Sequence, residues 1–286
     1  MGQSQRHHYI PQFLIKNFSN DKSKLYVYYK EKEEIKETVP KSIFFDWNRN
    51  TLPFVDGRMN DKMESIYSFL DILMAMPINQ VISELKMDSQ SLRYIILLAA
   101  LMKWRVPNSD EMFNKIKDKI SFEEFGLKLS PICNQEEADP QIISESMNLE
   151  SFNEMKRILM PALLFADQPY YEEVQKGCFL VCDGGPNLLG DCGCIEDRTT
   201  DYRQLGNMLM SISSDCTFVY KPGKRQIEKK NMQTFCGIKN LIVFRTSPKY
   251  VACGSKEELI KYIDLAKQTE KYSTESLMKQ VFGLII

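Results

Sequence analysis

The sequence predicts an α+β fold that is mostly helical, with a β-hairpin near the N-terminus and a small mixed or antiparallel sheet in the C-terminal half. Strand patterns support the β part, because aromatic and aliphatic residues occupy 25–29 within the predicted strand 24–30, and short, mostly apolar runs occupy 178–183 and 216–220. Helix patterns support the α part, because apolar residues recur every three or four positions over 62–75 and 89–105.

Composition and charge are those of an ordinary globular protein. Of the 286 residues, 43% are hydrophobic and 26% are charged, and this length allows a sizeable core. Lys and Arg number 37 against 38 Asp and Glu. A protein that coats long stretches of duplex usually has a basic excess, so any nucleic-acid contact is expected to be local. We predict a single domain over residues 1–286, with the polar stretch near 121–148 as a variable insertion.

Location in the cell is predicted from three features. The first six residues are polar and no apolar segment follows them, which argues against a signal peptide. The longest apolar run, residues 94–102, is too short to span a bilayer. Eight cysteines without an export signal indicate reduced thiols. We therefore expect a cytoplasmic protein with no membrane partner; its oligomeric state cannot be predicted.

The N-terminal half is predicted to form a short helix, a hairpin and then several helices. Pro11 suits the first position of a helix, and the charged residues 31–34 form the turn of the hairpin. The middle of the longest helix is apolar all round, which predicts a central buried helix. The predicted elements are a helix at 11–18, strands at 24–30 and 35–45, a loop at 46–61, and helices at 62–75, 78–85, 89–105 and 110–120.

The C-terminal half is predicted to mix strands and helices. Pro161 is expected to kink the first of these helices, and the periodicity changes after residue 170. The predicted elements are a helix at 149–166, strands at 178–183, 207–212 and 216–220, a helix at 226–243, a strand at 250–253, a helix at 256–266 and an apolar tail at 281–286.

Four separated pieces of the sequence resemble the bacterial domain-of-unknown-function family numbered 4238. They are His8-Tyr9-Ile10-Pro11-Gln12-Phe13-Leu14 with Phe18, then Trp104-Arg105-Val106-Pro107, then residues 179–186, and then Asn240. The pieces extend over nearly the whole chain, and the first is the most specific. The third departs from the family's usual Ser-Asp-Asn-Pro, because Cys182-Asp183-Gly184-Gly185-Pro186 carries an extra residue. The resemblance implies candidate site positions and little chemistry.

His8 is the first candidate catalytic residue. An imidazole can give and take protons near neutral pH, and the chain has only one other histidine, His7. The two are adjacent, so in an extended segment they point to opposite sides and are poor candidates for sharing a metal. The alternative is that His8 only hydrogen-bonds or caps the helix that follows it.

Arg105 and Asp183 are the candidate charged partners of His8. Arg105 rises from an apolar helix face and needs a carboxylate, a carbonyl or an anion; it is either an anion clamp or a structural cation. Asp183 ends an apolar strand and could orient His8, pair with Arg105, hold a metal or simply accept hydrogen bonds from turn amides. Glu64, near a helix N-terminus, is first explained by the helix dipole.

The cysteines raise a zinc hypothesis that the spacing does not favour. Cys178 and Cys182 are separated by three residues and Cys192 and Cys194 by one, whereas most structural zinc sites use paired C-x2-C spacings. No P-loop, Rossmann glycine pattern, H-E-x-x-H or G-x-S-x-G motif occurs. We therefore assign no metal and no cofactor.

The leading hypothesis is a hydrolase or lyase that acts on a phosphate-bearing substrate, a nucleotide or an RNA. His8 and Asp183 would be catalytic, while Arg105, Asn240 and Tyr9 would bind the substrate. One alternative is a non-catalytic ligand-binding or regulatory module whose motif residues are structural. Another is a metal-dependent nuclease.

Overall fold

Helices make up most of the regular structure, and every sheet is antiparallel, so the predicted α+β class is confirmed. The computed structural model describes residues 5–53, 59–127, 150–182, 185–197 and 201–286. The helices in these ranges are α1 (Gln12–Lys16), α2 (Lys62–Glu84), α3 (Ser89–Arg105), α4 (Asp110–Ile116), α5 (Glu150–Ala166), α6 (Gln168–Lys176), α7 (Met232–Thr246), α8 (Lys256–Gln268) and α9 (Thr274–Gly283).

The strands form two larger and two smaller sheets. One four-stranded sheet has the order β3-β2-β12-β8, the other β7-β11-β10-β9, and β1 pairs with β4 and β5 with β6. The strands are β1 (Arg6–His8), β2 (Leu25–Tyr29), β3 (Glu34–Thr38), β4 (Phe45–Trp47), β5 (Leu52–Pro53), β6 (Met59–Asn60), β7 (Cys178–Val181), β8 (Leu189–Gly190), β9 (Ile195–Asp197), β10 (Asn207–Ser211), β11 (Thr217–Tyr220) and β12 (Tyr250–Cys253).

The predicted hairpin is present as β2 and β3, but the single strand expected at 35–45 is wrong. Pro40 begins a 3-10 turn, Pro40–Ser42, that ends the pairing after Thr38. Proline fixes φ and has no amide hydrogen to donate to a ladder. The chain then continues as β4, which pairs with β1 rather than with β2.

Helix α2 runs without a break through Pro77, so the two helices predicted at 62–75 and 78–85 are one. Met74 and Ile78, on either side of the proline, are both buried in the same hydrophobic core. Of the apolar residues that recur at helical spacing over 62–75, Met63, Tyr67 and Met74 are buried, whereas Ile66 is exposed. By length and composition alone, α2 is the one helix among the described residues that could cross a membrane.

Helix α3 is the central buried helix that the sequence predicts. It begins with a capping box in which Asp88 and Ser91 satisfy each other's backbone amides. From Ile95 to its last residue, Arg105, nearly every side chain is buried, including the charged Lys103. Because α2, α5 and the N-terminal motif pack around it, α3 can present Arg105 to residues that are distant in sequence.

One further prediction needs correction. The helix expected at 226–243 begins only at Met232, because Gln226 exchanges backbone hydrogen bonds with Ile286 and Ile227 bridges Ile285 in an antiparallel pair. The stretch near 121–148 contains a short 3-10 turn at Phe122–Phe125. The rest of that predicted insertion, from residue 128, lies outside the described residues.

Candidate active site

The N-terminal motif is a folded part of the core. In β1, His7 pairs with Asp46 and His8 with Phe45. Pro11 precedes α1, and the aliphatic residues of that helix are fully buried. As expected for adjacent residues in a strand, the two imidazoles have different surroundings. The Nδ1 atom of His7 accepts a hydrogen bond from the backbone of Asn50 at 2.9 Å, whereas His8 faces a different set of residues.

Arg105 fixes the backbone of this motif. Its guanidinium donates to both carboxylate oxygens of Asp71 at 2.6 and 3.0 Å and to the backbone oxygen of His8 at 2.7 Å. The aromatic ring of Tyr67 lies beneath it, with 4.5 Å between the guanidinium carbon and the ring centroid. A bidentate pair of this kind is strong and geometrically specific. Arg105 therefore joins α3, α2 and the segment that carries His8.

A cavity of about 320 Å³ opens beside this ion pair. His8, Gln12, Glu64, Asp71 and Arg105 supply most of its polar wall. The apolar part of the wall comes from Phe13, Ile72 and Ala75. We call this cavity the His8 pocket. A mostly apolar cavity with a few convergent polar groups is the usual form of a small-molecule site.

His8 is neutral at pH 7. Burial and, to a smaller extent, the nearby charge of Arg105 lower the pKa of its imidazole to about 4, although a hydrogen bond with the Lys41 backbone acts in the opposite direction. The Nδ1 atom lies 3.3 Å from the amide nitrogen of Gln12. The Nε2 atom is buried, and no atom of the described residues completes a hydrogen bond to it. A neutral imidazole held by one neighbour can still exchange a proton through its other nitrogen.

The pKa of Glu64 is shifted in the opposite direction to that of His8. Burial raises the pKa of its carboxyl group, although a hydrogen bond from Asn50 to its Oε2 atom, at 2.7 Å, acts against the rise. The pKa values of His8 and Glu64 are therefore shifted in opposite directions, since His8 loses its proton more readily and Glu64 less readily than usual. Such divergence is a common property of acid–base pairs in active sites.

The other sequence-predicted residues lie elsewhere or outside the described ranges. Tyr9 is fully buried, and its hydroxyl donates to the Oδ1 atom of Asp191 at 2.6 Å. Asn240 donates to the backbone oxygen of Pro186 at 2.9 Å and accepts from the backbone of Leu188 at 3.1 Å. Neither residue lines the His8 pocket. Asp183 lies outside the described residues.

The cysteines of the described residues do not form a single cluster. The thiol of Cys178 donates to the backbone oxygen of Val174, that of Cys182 contacts Cys216, and that of Cys192 accepts a long contact from Ser247. Within the described part of the chain, no three His, Cys, Asp or Glu side chains form a group that could hold a metal ion.

Sequence reasoning missed Asp71 and undervalued Glu64. Asp71 is the only charged residue between Glu64 and Glu84 in a long apolar helical segment. An isolated acid in such a segment needs a buried cationic partner, and this was the available signal. Glu64 was attributed to the helix dipole, because its position near the helix start offered a simpler explanation.

The fold and this pocket define an α+β protein in which a histidine and an arginine meet between an N-terminal motif and two helices. The chain belongs to the family described as Protein of unknown function (DUF4238), whose model matches residues 6–160. The match includes His8, Asp71 and Arg105 and ends before Asp183 and Asn240. No curated protein and no solved structure matches the chain.

Proposed function

We propose that the His8 pocket is the active site of a cytoplasmic hydrolase or lyase that acts on a phosphate-bearing substrate, a nucleotide or an RNA. The observation that carries the proposal is that His8, with a lowered pKa, and Glu64, with a raised pKa, line one open cavity. An enzyme needs one group that takes a proton and another that gives one, and general acid–base catalysis contributes about 10²–10⁴-fold in rate.

In this proposal, His8 takes a proton from the attacking water or hydroxyl group of the substrate. Glu64, protonated more readily than an exposed carboxyl group, donates to the leaving group. Arg105 positions His8 through the backbone oxygen of that residue. Asp183 stays a prediction as a group that orients His8 or as a second acid–base residue, and Tyr9 and Asn240 act as supports rather than in direct substrate contact.

The phosphate part of the proposal depends on Asp71. Both oxygens of this carboxylate engage Arg105, so a phosphate reaches the guanidinium only where it shares or displaces Asp71. We expect inorganic phosphate to bind weakly to the wild-type chain and at least tenfold more tightly to Asp71→Asn. Isothermal titration calorimetry measures both affinities. Equal affinities in the two proteins would contradict an anion site at Arg105.

The direct test of the enzyme proposal is turnover of phosphate esters. A panel of nucleoside monophosphates, 2′,3′-cyclic nucleotides and single-stranded RNA is offered to the wild-type chain and to the His8→Asn and Glu64→Gln variants. We expect His8→Asn to lower kcat by about 10²–10⁴-fold and Glu64→Gln to lower it less. Ser68→Ala, in the same pocket wall, is the matched control and should retain activity. Unchanged kcat in a folded His8→Asn variant would remove His8 from the mechanism.

A second candidate is the non-catalytic binding or regulatory module. It is favoured by the hydrogen bonds that the Arg105 amino groups donate to Asp71 and to the His8 backbone, which is what a structural cation would show. A nucleotide that binds with a 1:1 stoichiometry and is recovered unchanged would support this candidate over the enzyme. Activity that is lost in chelator and restored by a divalent cation would instead support the metal-dependent nuclease.

A further inference from the structure

Two cysteine thiols lie against each other beside the sheet that contains β7 and β11. The Sγ atoms of Cys182 and Cys216 are 3.0 Å apart. Val181 pairs with Thr217 in the antiparallel register, so Cys182 and Cys216 are the next opposed residues. Opposed residues in antiparallel strands have Cα separations that a disulfide can span. We propose that Cys182 and Cys216 form a redox-active dithiol, which a hydroperoxide converts into an intramolecular disulfide.

The two thiols are suited to different roles. Cys182 is half-buried, whereas Cys216 is fully buried. Burial raises the pKa of the Cys216 thiol, and the hydrogen bond with Cys182 and the charge of Cys182 raise it further. Cys182 is therefore the more accessible of the two thiols and the better placed to act as the nucleophile. Cys216 is held at contact distance, where it can attack an oxidised Cys182.

The reaction proceeds in two steps. The Cys182 thiolate attacks hydrogen peroxide, the O–O bond breaks, and Cys182 becomes a sulfenic acid as one water leaves. The sulfur of Cys216 then loses its proton and attacks the Cys182 sulfur, the S–O bond breaks, and a second water leaves. The two thiols lose two electrons and two protons, and the peroxide is reduced to two waters.

The dithiol also has a buried cation nearby. Lys239 acts to lower the pKa of Cys216, against the effect of burial. Its own ammonium group is fully buried and is held by neutral oxygens of Ser211 and Thr217 at 3.0 and 2.9 Å. A cation in this position favours the Cys216 thiolate that the second step requires. This arrangement is independent of the His8 pocket and of the function proposed for it.

The test is to map disulfides after exposure to peroxide. The full chain is treated with hydrogen peroxide, its remaining thiols are blocked with N-ethylmaleimide, and tryptic peptides are analysed by mass spectrometry. We expect a linked pair of peptides that carry Cys182 and Cys216, loss of two free thiols, and reversal by dithiothreitol. The link should disappear in Cys182→Ser and persist in Cys178→Ser, the matched control on the same strand.

In Cys216→Ser, dimedone should trap a sulfenic acid on Cys182, because the second step is blocked. If that variant fails to fold, the wild-type and Cys178→Ser maps still decide the question. Absence of the linked peptides in both proteins, or a link that persists in Cys182→Ser, would overturn the proposal.

An independent observation concerns the outer face of α2. Large apolar residues recur there at alternating intervals of three and four, the spacing of a coiled-coil seam. Phe69, Ile72 and Met76 are 63%, 76% and 76% exposed. No charged residue is exposed on α2 between Lys62 and Glu84. We call this surface the α2 seam; it consists of Ile66, Phe69, Ile72, Leu73 and Met76.

The charges at the two ends of the helix favour a second copy of this chain as the partner of the seam. If two copies of α2 pack antiparallel about a centre between Ile72 and Leu73, Lys62 of one copy lies beside Glu84 of the other. In a parallel pair, each of these residues would meet its own like charge. We infer that the α2 seam is the interface of an antiparallel homodimer with two-fold symmetry, in which Phe69 packs against Met76 of the second copy.

The dimer is tested by light scattering coupled to size-exclusion chromatography over a series of concentrations. The wild-type chain should have the mass of a dimer, and Met76→Lys should have that of a monomer. Ile260→Lys, which changes an exposed apolar residue of α8 in the same way, is the matched control and should remain dimeric. A wild-type monomer at every concentration, or a dimeric Met76→Lys variant, would overturn the inference.

The antiparallel arrangement is tested by charge reversal. Lys62→Glu and Glu84→Lys should each raise the dimer Kd by about fivefold, and the double variant should restore it. If the double variant is weaker than either single variant, the antiparallel pairing is wrong. Co-sedimentation of a wild-type monomer with vesicles of neutral phospholipid would instead assign the seam to a membrane surface and overturn the dimer.

Discussion

Arg105 and Lys239 are both fully buried cations, and they are stabilised in different ways. Arg105 faces a carboxylate, Asp71, and lies at the wall of an open cavity. Lys239 is held by the side-chain oxygens of Asn187, Ser211 and Thr217, all of which are neutral. The first cation is neutralised by an opposite charge, and the second is only solvated by dipoles.

This difference appears in the pKa values of the two cations. Burial acts to lower the pKa of Arg105, but Asp71 outweighs it and the net shift is upward. Burial lowers the pKa of Lys239 to about 8, because the charges of Cys236 and Cys216 compensate only in part. A buried charge without a carboxylate partner tends to give up its proton. The comparison indicates that Arg105 stays charged in the His8 pocket, whereas Lys239 in the core can lose its proton.

The largest expected effect is that of Arg105→Ala. Removing one member of a buried ion pair leaves Asp71 partly buried without its cation, which typically destabilises a protein by about 3–5 kcal/mol. Urea denaturation at pH 7 measures the change in the free energy of unfolding. The double variant Arg105→Ala/Asp71→Ala should recover part of the loss. A change in the single variant within experimental error would show that the pair is not structural.

The second largest expected effect is the pH dependence that Lys239 gives to the free energy of unfolding. Between about pH 8 and the ordinary lysine pKa of 10.5, the unfolded chain holds a proton that the folded chain has released. The stability contribution of this group therefore rises over that interval, by about 3 kcal/mol in total. Lys239→Met should remove this rise when unfolding is followed at pH 7.5 and pH 10. Parallel profiles for the two proteins would mean that Lys239 stays charged.

Asp71→Asn makes the surroundings of Arg105 resemble those of Lys239. The guanidinium keeps an oxygen to bond but loses the opposite charge, and the expected destabilisation is about 2 kcal/mol. Urea denaturation of this variant beside Arg105→Ala separates the charge of Asp71 from the contacts of Arg105. If Asp71→Asn and Arg105→Ala lose equal stability, the contrast drawn between Arg105, paired with a charge, and Lys239, held by neutral oxygens, would be wrong for Arg105.

The smallest expected effect concerns His8, which shares the pocket with Arg105. The folded chain protonates His8 near pH 4 and the unfolded chain near its ordinary pKa of 6.5, so stability falls as pH is lowered through this interval. Because His8 is partly screened by solvent, the free energy of unfolding should fall by about 1–2 kcal/mol over this interval. His8→Asn should flatten this part of the profile relative to wild type in urea denaturation at pH 6.5 and 4.5. An unchanged slope would mean that His8 does not carry the proton.

The sequence predicted those parts of the fold that depend on local periodicity. The central helix α3 and the hairpin β2–β3 follow from patterns within a single segment. The continuity of α2 through Pro77 was not predictable from the segment alone, because a proline within a helical pattern usually ends or kinks the helix. The end of β3 at Thr38 had a usable signal in Pro40, which was not recognised as a breaker.

The candidate site was only partly predictable for a related reason. His8 and Arg105 could be selected from residue type and from the family resemblance, and the structure brings both to one cavity. Asp71 completes the site from a helix whose inner face the sequence assigned only in part. The sequence predicts Tyr9 and Asn240 as substrate-binding residues, but residue type cannot show that they form hydrogen bonds with Asp191 and with the residue 186–188 segment.

The hydrogen bond between Tyr9 and Asp191 limits how far this protein can be truncated. Asp191 also accepts from the backbone amides of Lys249 and Tyr250 at 2.7 and 2.5 Å, so the opening motif is anchored to the last fifth of the sequence. A fragment limited to the residues of the family match lacks Asp191, and it would leave the Tyr9 hydroxyl buried in an apolar interior without its hydrogen-bond acceptor. Recombinant versions intended for crystallography should therefore extend beyond residue 250.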